Sequence, residues 1–140
     1  MIVRDADFTA DFASIRLVRE AVFIDEQRVP RELEFDERDA LCRHVLAFEG
    51  IAPVGTGRLD LDYGGKVGRV AVLATHRRSG VGVAVMQRLH EIARGERQPR
   101  LWCHAQLTAV PFYERLGYLR SGPVFVEAGI DHVRMEYTVR

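Results

Sequence analysis

No stretch of this chain limits its fold more than Val70-Ala71-Val72-Leu73-Ala74-Thr75-His76-Arg77-Arg78-Ser79-Gly80-Val81-Gly82. It begins as an apolar run with strand preference, breaks at an arginine-rich turn, and passes two glycines into an amphipathic helical pattern. The first turn of a helix leaves about four backbone N–H groups without partners, and the aligned peptide dipoles add partial positive charge there. A strand that delivers a glycine loop to such a point makes a cradle for an anion, phosphate above all. Arg77 and Arg78 add charge of the same sign.

The rest of the chain reads as a mixed α/β arrangement around that junction. Phe8, Phe12, Ile15, Val18 and Val22 recur at spacings of three and four, so an amphipathic first helix is expected up to Phe23-Ile24. Pro30 turns the chain, and in the charged run Arg31 to Asp39 the alternation of Leu33 and Phe35 suggests a segment lying across a surface with those two side chains inward. His44 to Glu49 and Val54 to Leu61 read as a hairpin, and Val67 to Leu73 as the third strand of a meander. A helix from Val81 ends near Gly95, read as its C-cap. Leu101 to Ala105 is a short buried strand, Thr108 an N-cap, and Ala109 to Leu116 a short helix closed by Gly117. Val124 to Val126 and Val133 to Val139 close the chain as an antiparallel pair turning at Ala128 to Asp131.

With 140 residues the chain is expected to form one domain, and its twenty acidic and twenty basic residues leave no net charge to favour nucleic acid or a membrane surface. No apolar run approaches the roughly 18 residues of a membrane span, and the acidic and basic residues near the N-terminus do not read as a signal peptide. Cys42 and Cys103 stand far apart and outside any CxxC pattern; one disulfide could join them, but two reduced thiols are expected, and with them a cytoplasmic location. The five histidines show no metal-ligand spacing, so no metal is expected.

Two familiar phosphate patterns fail. No Gly-Lys-Ser/Thr completes a P-loop, and Val85 occupies the third small-residue position of a dinucleotide fingerprint begun at Gly80-x-Gly82. What remains, Arg77-x-x-Gly80-x-Gly82 after a strand ending in Val72, resembles the acyl-CoA-binding motif of the GNAT superfamily of N-acetyltransferases. Gln106-Leu-Thr-Ala109-Val-Pro-Phe112-Tyr113-Glu114-Arg115-Leu116-Gly117-Tyr118 resembles the family's second signature, with Gln106 in place of the usual asparagine. Arg19-Glu-Ala-Val22-Phe23-Ile-Asp-Glu26-Gln27-Arg-Val29-Pro30 and the tail Glu127 to Met135 are similar to the ElaA-like, or YjcF-like, branch.

The resemblance implies a GNAT (acyl-CoA N-acyltransferase) fold: an α/β domain over residues 1–140 with a mixed, mostly antiparallel central sheet flanked by helices. It also implies acetyl-CoA as co-substrate. Its pyrophosphate would lie on the N–H groups of Arg78, Ser79, Gly80, Val81, Gly82 and Val83 beside Arg77, and its pantetheine arm along Val70, Ala71 and Val72. Gln106 and Phe112 would complete the cofactor site. Tyr113 matches the family's general acid.

The implied reaction is attack of a primary amine on the thioester. An alkylamine is mostly protonated near neutral pH and must lose a proton, so a base is needed. Glu26, Glu34, Asp36 and His104 are candidates, with Glu26 placed first because it lies in the branch signature; His44 and His132 read as structural. The acidic run Glu32 to Asp39 could attract a cationic acceptor or form a solvated face. A non-catalytic acyl-CoA sensor is the alternative from another class. The Val- and Tyr-rich C-terminal strands could pair across a homodimer.

Overall fold

The computed structural model describes residues 1–140. Eight strands form one sheet: β1 Ile2–Ala6, β2 Arg43–Glu49, β3 Ala52–Asp60, β4 Lys66–Val72, β5 Arg100–Gln106, β6 Leu119–Arg120, β7 Phe125–Glu127 and β8 Ile130–Thr138. The spatial order is β1-β2-β3-β4-β5-β8-β6, with β7 also paired to β8. All neighbours are antiparallel except β4 and β5, which run parallel. The helices are α1 Phe12–Arg19, continuing as a π-helical stretch Glu20–Glu26, then α2 Arg31–Glu34, α3 Val81–Gly95 and α4 Val110–Arg115.

The expected mixed, mostly antiparallel sheet is present, and the helices cover it on both faces. On one face Val81, Val85, Met86, Leu89 and Ile92 of α3 bury against Val45, Leu59, Val67 and Leu101 of the sheet. On the other, Val18, Val22 and Phe23 pack with Val29 and Ala71 into a second, smaller core. Burying such side chains removes apolar surface from water at about 1.5–3 kcal/mol each.

Several local expectations need correction. Residues 2–6 form an edge strand that pairs Ile2 with Phe48 through Ala6 with His44; its sequence, with Arg4 and Asp5, carries no apolar alternation. The first helix starts at Phe12, because Phe8 leaves the helical path to stack on His44 at 5.1 Å between ring centroids. Leu33 is largely exposed while Glu34 and Asp39 are buried, the reverse of the expected polarity. Thr108 sits inside a 3-10 turn and caps nothing; Ala109 is the residue before α4. Gly95 belongs to the last turn of α3, and Arg97 takes the left-handed conformation after it.

The reversed polarity of residues 31–41 has one cause. Arg19, 1% exposed, donates from Nε to Glu34 at 2.8 Å and from its two terminal nitrogens to Asp39 at 2.8 and 3.2 Å. Arg58 of β3 reaches Asp36 and Asp39 at 2.8 and 2.7 Å. His44 Nε2 lies 2.7 Å from the Asp39 carbonyl. Buried charges must be paired, so three carboxylates of the acidic run turn inward to meet arginines supplied by α1 and the sheet. That run is therefore a clamp rather than a solvated face or an open acidic patch.

Candidate active site

The site begins with a defect in β4. Thr56 opposes Ala71 and Arg58 opposes Gly68, which leaves Gly57 facing both Arg69 and Val70. Such a bulge bends its strand and increases the local twist. Arg69 takes the left-handed conformation there, at φ +52°, a backbone state that costs a side-chain-bearing residue about 1–3 kcal/mol. Hydrogen bonds from Arg69 to the carbonyls of Glu34 and Leu33 (3.0 and 3.1 Å) and to Asp36 (3.1 Å) hold it in place. Beyond the bulge β4 diverges from β5. The two strands pair only at Lys66 and Trp102.

The resulting V-shaped opening is a cleft of about 730 Å³ that passes through the sheet. Leu101, Cys103 and Ala105 point into the core beneath α3, so Trp102, His104 and Gln106 face the opposite side. Gly82, Phe112 and Tyr113 line the cleft on the α3 side, and Phe23, Gln27, His104 and Gln106 line it on the α1 side.

Val70, Ala71 and Val72 form one wall of the opening. Leu73 N donates to Val54 O across the ladder with β3; strand alternation then turns the polar groups of Val72 towards the cleft. Arg77 Nε occupies that edge, donating to the Val72 carbonyl at 3.0 Å. At the end of the wall, α3 starts with no side-chain cap, and its first helical bond runs from Ala84 N to Gly80 O. The amides of Val81, Gly82 and Val83 thus lack helical partners, and a 15-residue helix points its positive end at them.

The two glycines serve different ends. Gly80 is left-handed at φ +87°, with open space where a Cβ would go, so its requirement is conformational. A Cβ on Gly82 would meet the Phe112 ring at 3.2 Å and Val72 at 3.6 Å, so its requirement is space. The Ser79 hydroxyl bonds the His76 carbonyl and shapes the loop. Val81 turns its side chain into the core, and Val83 is exposed.

Tyr113 is 8% exposed, packed edge-on between Phe112 and Tyr118. Its hydroxyl has no protein partner, yet it is not sealed off, so it opens to the cleft. Burial pushes its pKa well above that of a free phenol, and the group stays protonated at neutral pH.

Glu26, the first-placed base, is outside the cleft lining. Both of its oxygens are taken by Arg77 at 2.6 and 3.0 Å. Its neighbour Gln27 faces the cleft instead, in a reciprocal amide pair with Gln106 at 2.8 and 3.3 Å. Glu34 and Asp36 border the cleft but are committed to arginines.

His104 is different. Its Nδ1 lies 2.9 Å from Glu127 Oε2 on β7, and its ring stands edge-on to Trp102 and Phe125. A carboxylate only accepts, so Nδ1 carries the proton and Nε2 keeps its lone pair. Burial lowers the pKa of His104, outweighing the pull of Glu127. His132 bonds the Ile130 carbonyl at 2.7 Å and lines the cleft, whereas His44 is buried with its Nε2 at 2.7 Å from the Asp39 carbonyl. Sequence reasoning missed Gln27, Lys66, Arg69 and Glu127 as cleft residues. Gln27 and Glu127 lay within motifs already singled out; Arg69 carried no signal; Lys66 is the only lysine of the chain.

Comparison with known proteins agrees with this geometry. The family model described as "Acetyltransferase (GNAT) domain" matches residues 9–139. The N-acetyltransferase YjcF of Bacillus subtilis is 42% identical over 120 residues, covering 84% of this chain and 86% of that protein. The crystal structure of Escherichia coli ElaA superposes with a TM-score of 0.87 at 24% identity, over 97% of this chain and 99% of that one. An aminoglycoside 6'-N-acetyltransferase complexed with coenzyme A shares the fold at a TM-score of 0.75 and 15% identity, over 100% and 98% of the two chains. A splayed β4, an uncapped helix at its end and matching sequence over nearly the whole chain have one reading: the chain belongs to the GNAT family of acetyltransferases, enzymes whose acyl donor is acetyl-CoA.

Proposed function

We propose that residues 1–140 act as one acetyltransferase domain that moves an acetyl group from acetyl-CoA to a primary amine by direct attack on the thioester. The observation that carries this reading is the through-sheet cleft, with an uncapped helix N-terminus and a phenol on one side and a histidine–carboxylate pair on the other. The free amides of Val81 to Val83 and the turn Arg78-Ser79-Gly80 would take the pyrophosphate, with the Arg77 guanidinium beside them, held by Glu26 and the Val72 carbonyl. Val70, Ala71 and Val72 would take the pantetheine arm, with Phe112 packed beneath it. Gln106, clasped to Gln27, would border the thioester.

The donor supplies a thioester carbonyl, and the residues manage two protons. His104, held by Glu127, accepts the proton that the attacking amine must lose. It replaces Glu26 in that role, since the Glu26 carboxylate is bound to Arg77. Tyr113 gives its proton to the departing thiolate, whose pKa is roughly that of a cysteine thiol, about 8.5.

Two outcomes are expected. His104→Gln should lower kcat/KM by about 10²-fold, and Glu127→Gln by less, in line with general-base contributions; an unimpaired His104→Gln enzyme would remove the pair from the chemistry. Gly82→Asp places bulk against Phe112 and a negative charge on the phosphate cradle. Isothermal titration should show CoA affinity reduced by at least about 10²-fold, since charge reversal and steric exclusion act together; unchanged affinity would refute the cradle. The reaction itself is tested by thiol release from acetyl-CoA with a panel of amines, and saturable CoA binding without turnover on any amine would overturn it.

A further inference from the structure

Nineteen of the twenty basic residues are arginines, and the one lysine lies in the cleft. Lys66 stands at the vertex of the V, where β4 and β5 make their single pairing with Trp102. Val67 beside it enters the core under α3, so Lys66 points to the opposite face, the one shared by Trp102 and His104. Its Nζ lies 5.1 Å from the centre of the Trp102 ring.

The other charged groups bordering this half of the cleft have partners. Glu34 and Asp36 are bound by Arg19, Arg58 and Arg69, and Glu127 by His104. No carboxylate or hydrogen-bond acceptor of the protein engages Lys66 Nζ, and the atom is not sealed from the cleft. Burial pulls the Lys66 pKa down, with Glu127 opposing the shift. A partly desolvated ammonium without a counter-ion is costly unless something else completes it.

We infer that Lys66 receives an anionic group of the acceptor, so that the substrate class is a primary amine bearing a carboxylate or phosphate at its far end. The inference rests on the acetyltransferase reading above and narrows its acceptor. His104, which accepts the proton of the attacking amine, stands two residues beyond Trp102, the β5 partner of Lys66: about 7 Å along the strand at about 3.3 Å per residue and about 5 Å across the ladder. The anionic group therefore stands on the order of 10 Å from the reacting nitrogen, farther than the two ends of an α-amino acid. Polyamines and aminoglycosides, cationic along their length, would set a second positive charge against Lys66.

A matched pair of acceptors tests this: ω-amino-octanoate and the diaminooctane of the same chain length, with ω-aminoalkyl phosphate as a second anion. The wild-type enzyme should prefer the anionic acceptors by about tenfold in kcat/KM, the scale of one half-buried ion pair. Lys66→Met should abolish the preference through the anionic arm, and Lys66→Arg should restore most of it. Peptide mass mapping after incubation with acetyl-CoA reads whether Lys66 itself is acetylated.

An absent or reversed preference in the wild type overturns the inference, even if Lys66→Met fails to fold. Equal losses on both acceptors in Lys66→Met, or stoichiometric acetylation of Lys66, also overturn it. No thiol release with any amine would instead sink the acetyltransferase reading.

Discussion

Tyr113→Phe should lower kcat by about 10²–10³-fold, within the usual range of a lost general acid, and leave the KM for acetyl-CoA nearly unchanged. The split follows from what the hydroxyl touches. It makes no hydrogen bond to the protein and opens to the cleft, so its removal leaves no buried donor or acceptor unpaired. The ring keeps its edge-on contacts with Phe112 and Tyr118. A thermal melt of the variant should therefore coincide with that of the wild type, and the deficit should lie in the chemical step. Full activity would show that the departing thiolate finds its proton elsewhere.

Arg19→Met should be the most damaging substitution for stability. Arg19 is 1% exposed and joins Glu34 and Asp39, which are 3% and 0% exposed. Removing one partner from a buried ion pair costs about 3–5 kcal/mol, because the remaining charge stays desolvated. That is a large share of the stability of a domain this size, and the urea midpoint should fall accordingly. A midpoint within error of the wild type would mean that Arg58 alone satisfies Asp39.

The Asp39 arm of this clamp contributes to the acid limit of the wild type, whereas burial raises the pKa of Glu34 and gives that arm the opposite sign. Burial works against the Asp39 carboxylate, but the hydrogen bonds and charge of Arg19 and Arg58 outweigh it and hold its pKa below the ordinary value. For a depressed carboxylate the stabilisation is fully present above its unfolded pKa of about 3.9 and is lost as pH falls through the folded one. Asp36 and Asp60, lowered against burial by Arg58 and by the hydrogen bonds of Arg38 respectively, add to the effect.

The legible parts of this protein were those written in local pattern. The strand–loop–helix junction at Val70 to Gly82, the meander and the Phe112-Tyr113 helix each follow from spacing within about a dozen residues. The less legible parts were decided by partners distant in sequence. Glu26 looked free in its motif, yet Arg77, fifty-one residues later, takes both of its oxygens. Leu33 and Phe35 alternated as a buried pair would, yet three arginines drew Glu34, Asp36 and Asp39 inward instead. Strand β1 has no apolar alternation because an edge strand held by backbone pairing with β2 needs none.

The sequence by itself determined the strand–loop–helix junction with its two glycines, the helix that carries Phe112 and Tyr113, and the family these motifs spell. Those features depend on backbone geometry and local helix starts, which a short run of residues dictates. Only the tertiary structure decided the opposite side of the cleft. The bulge at Arg69 splays β4 from β5, Glu127 crosses from β7 to orient His104, and Lys66 stands in the cleft without a counter-ion. Each depends on side chains brought together across strands, and electrostatic pairing at that range leaves no periodic trace in the sequence.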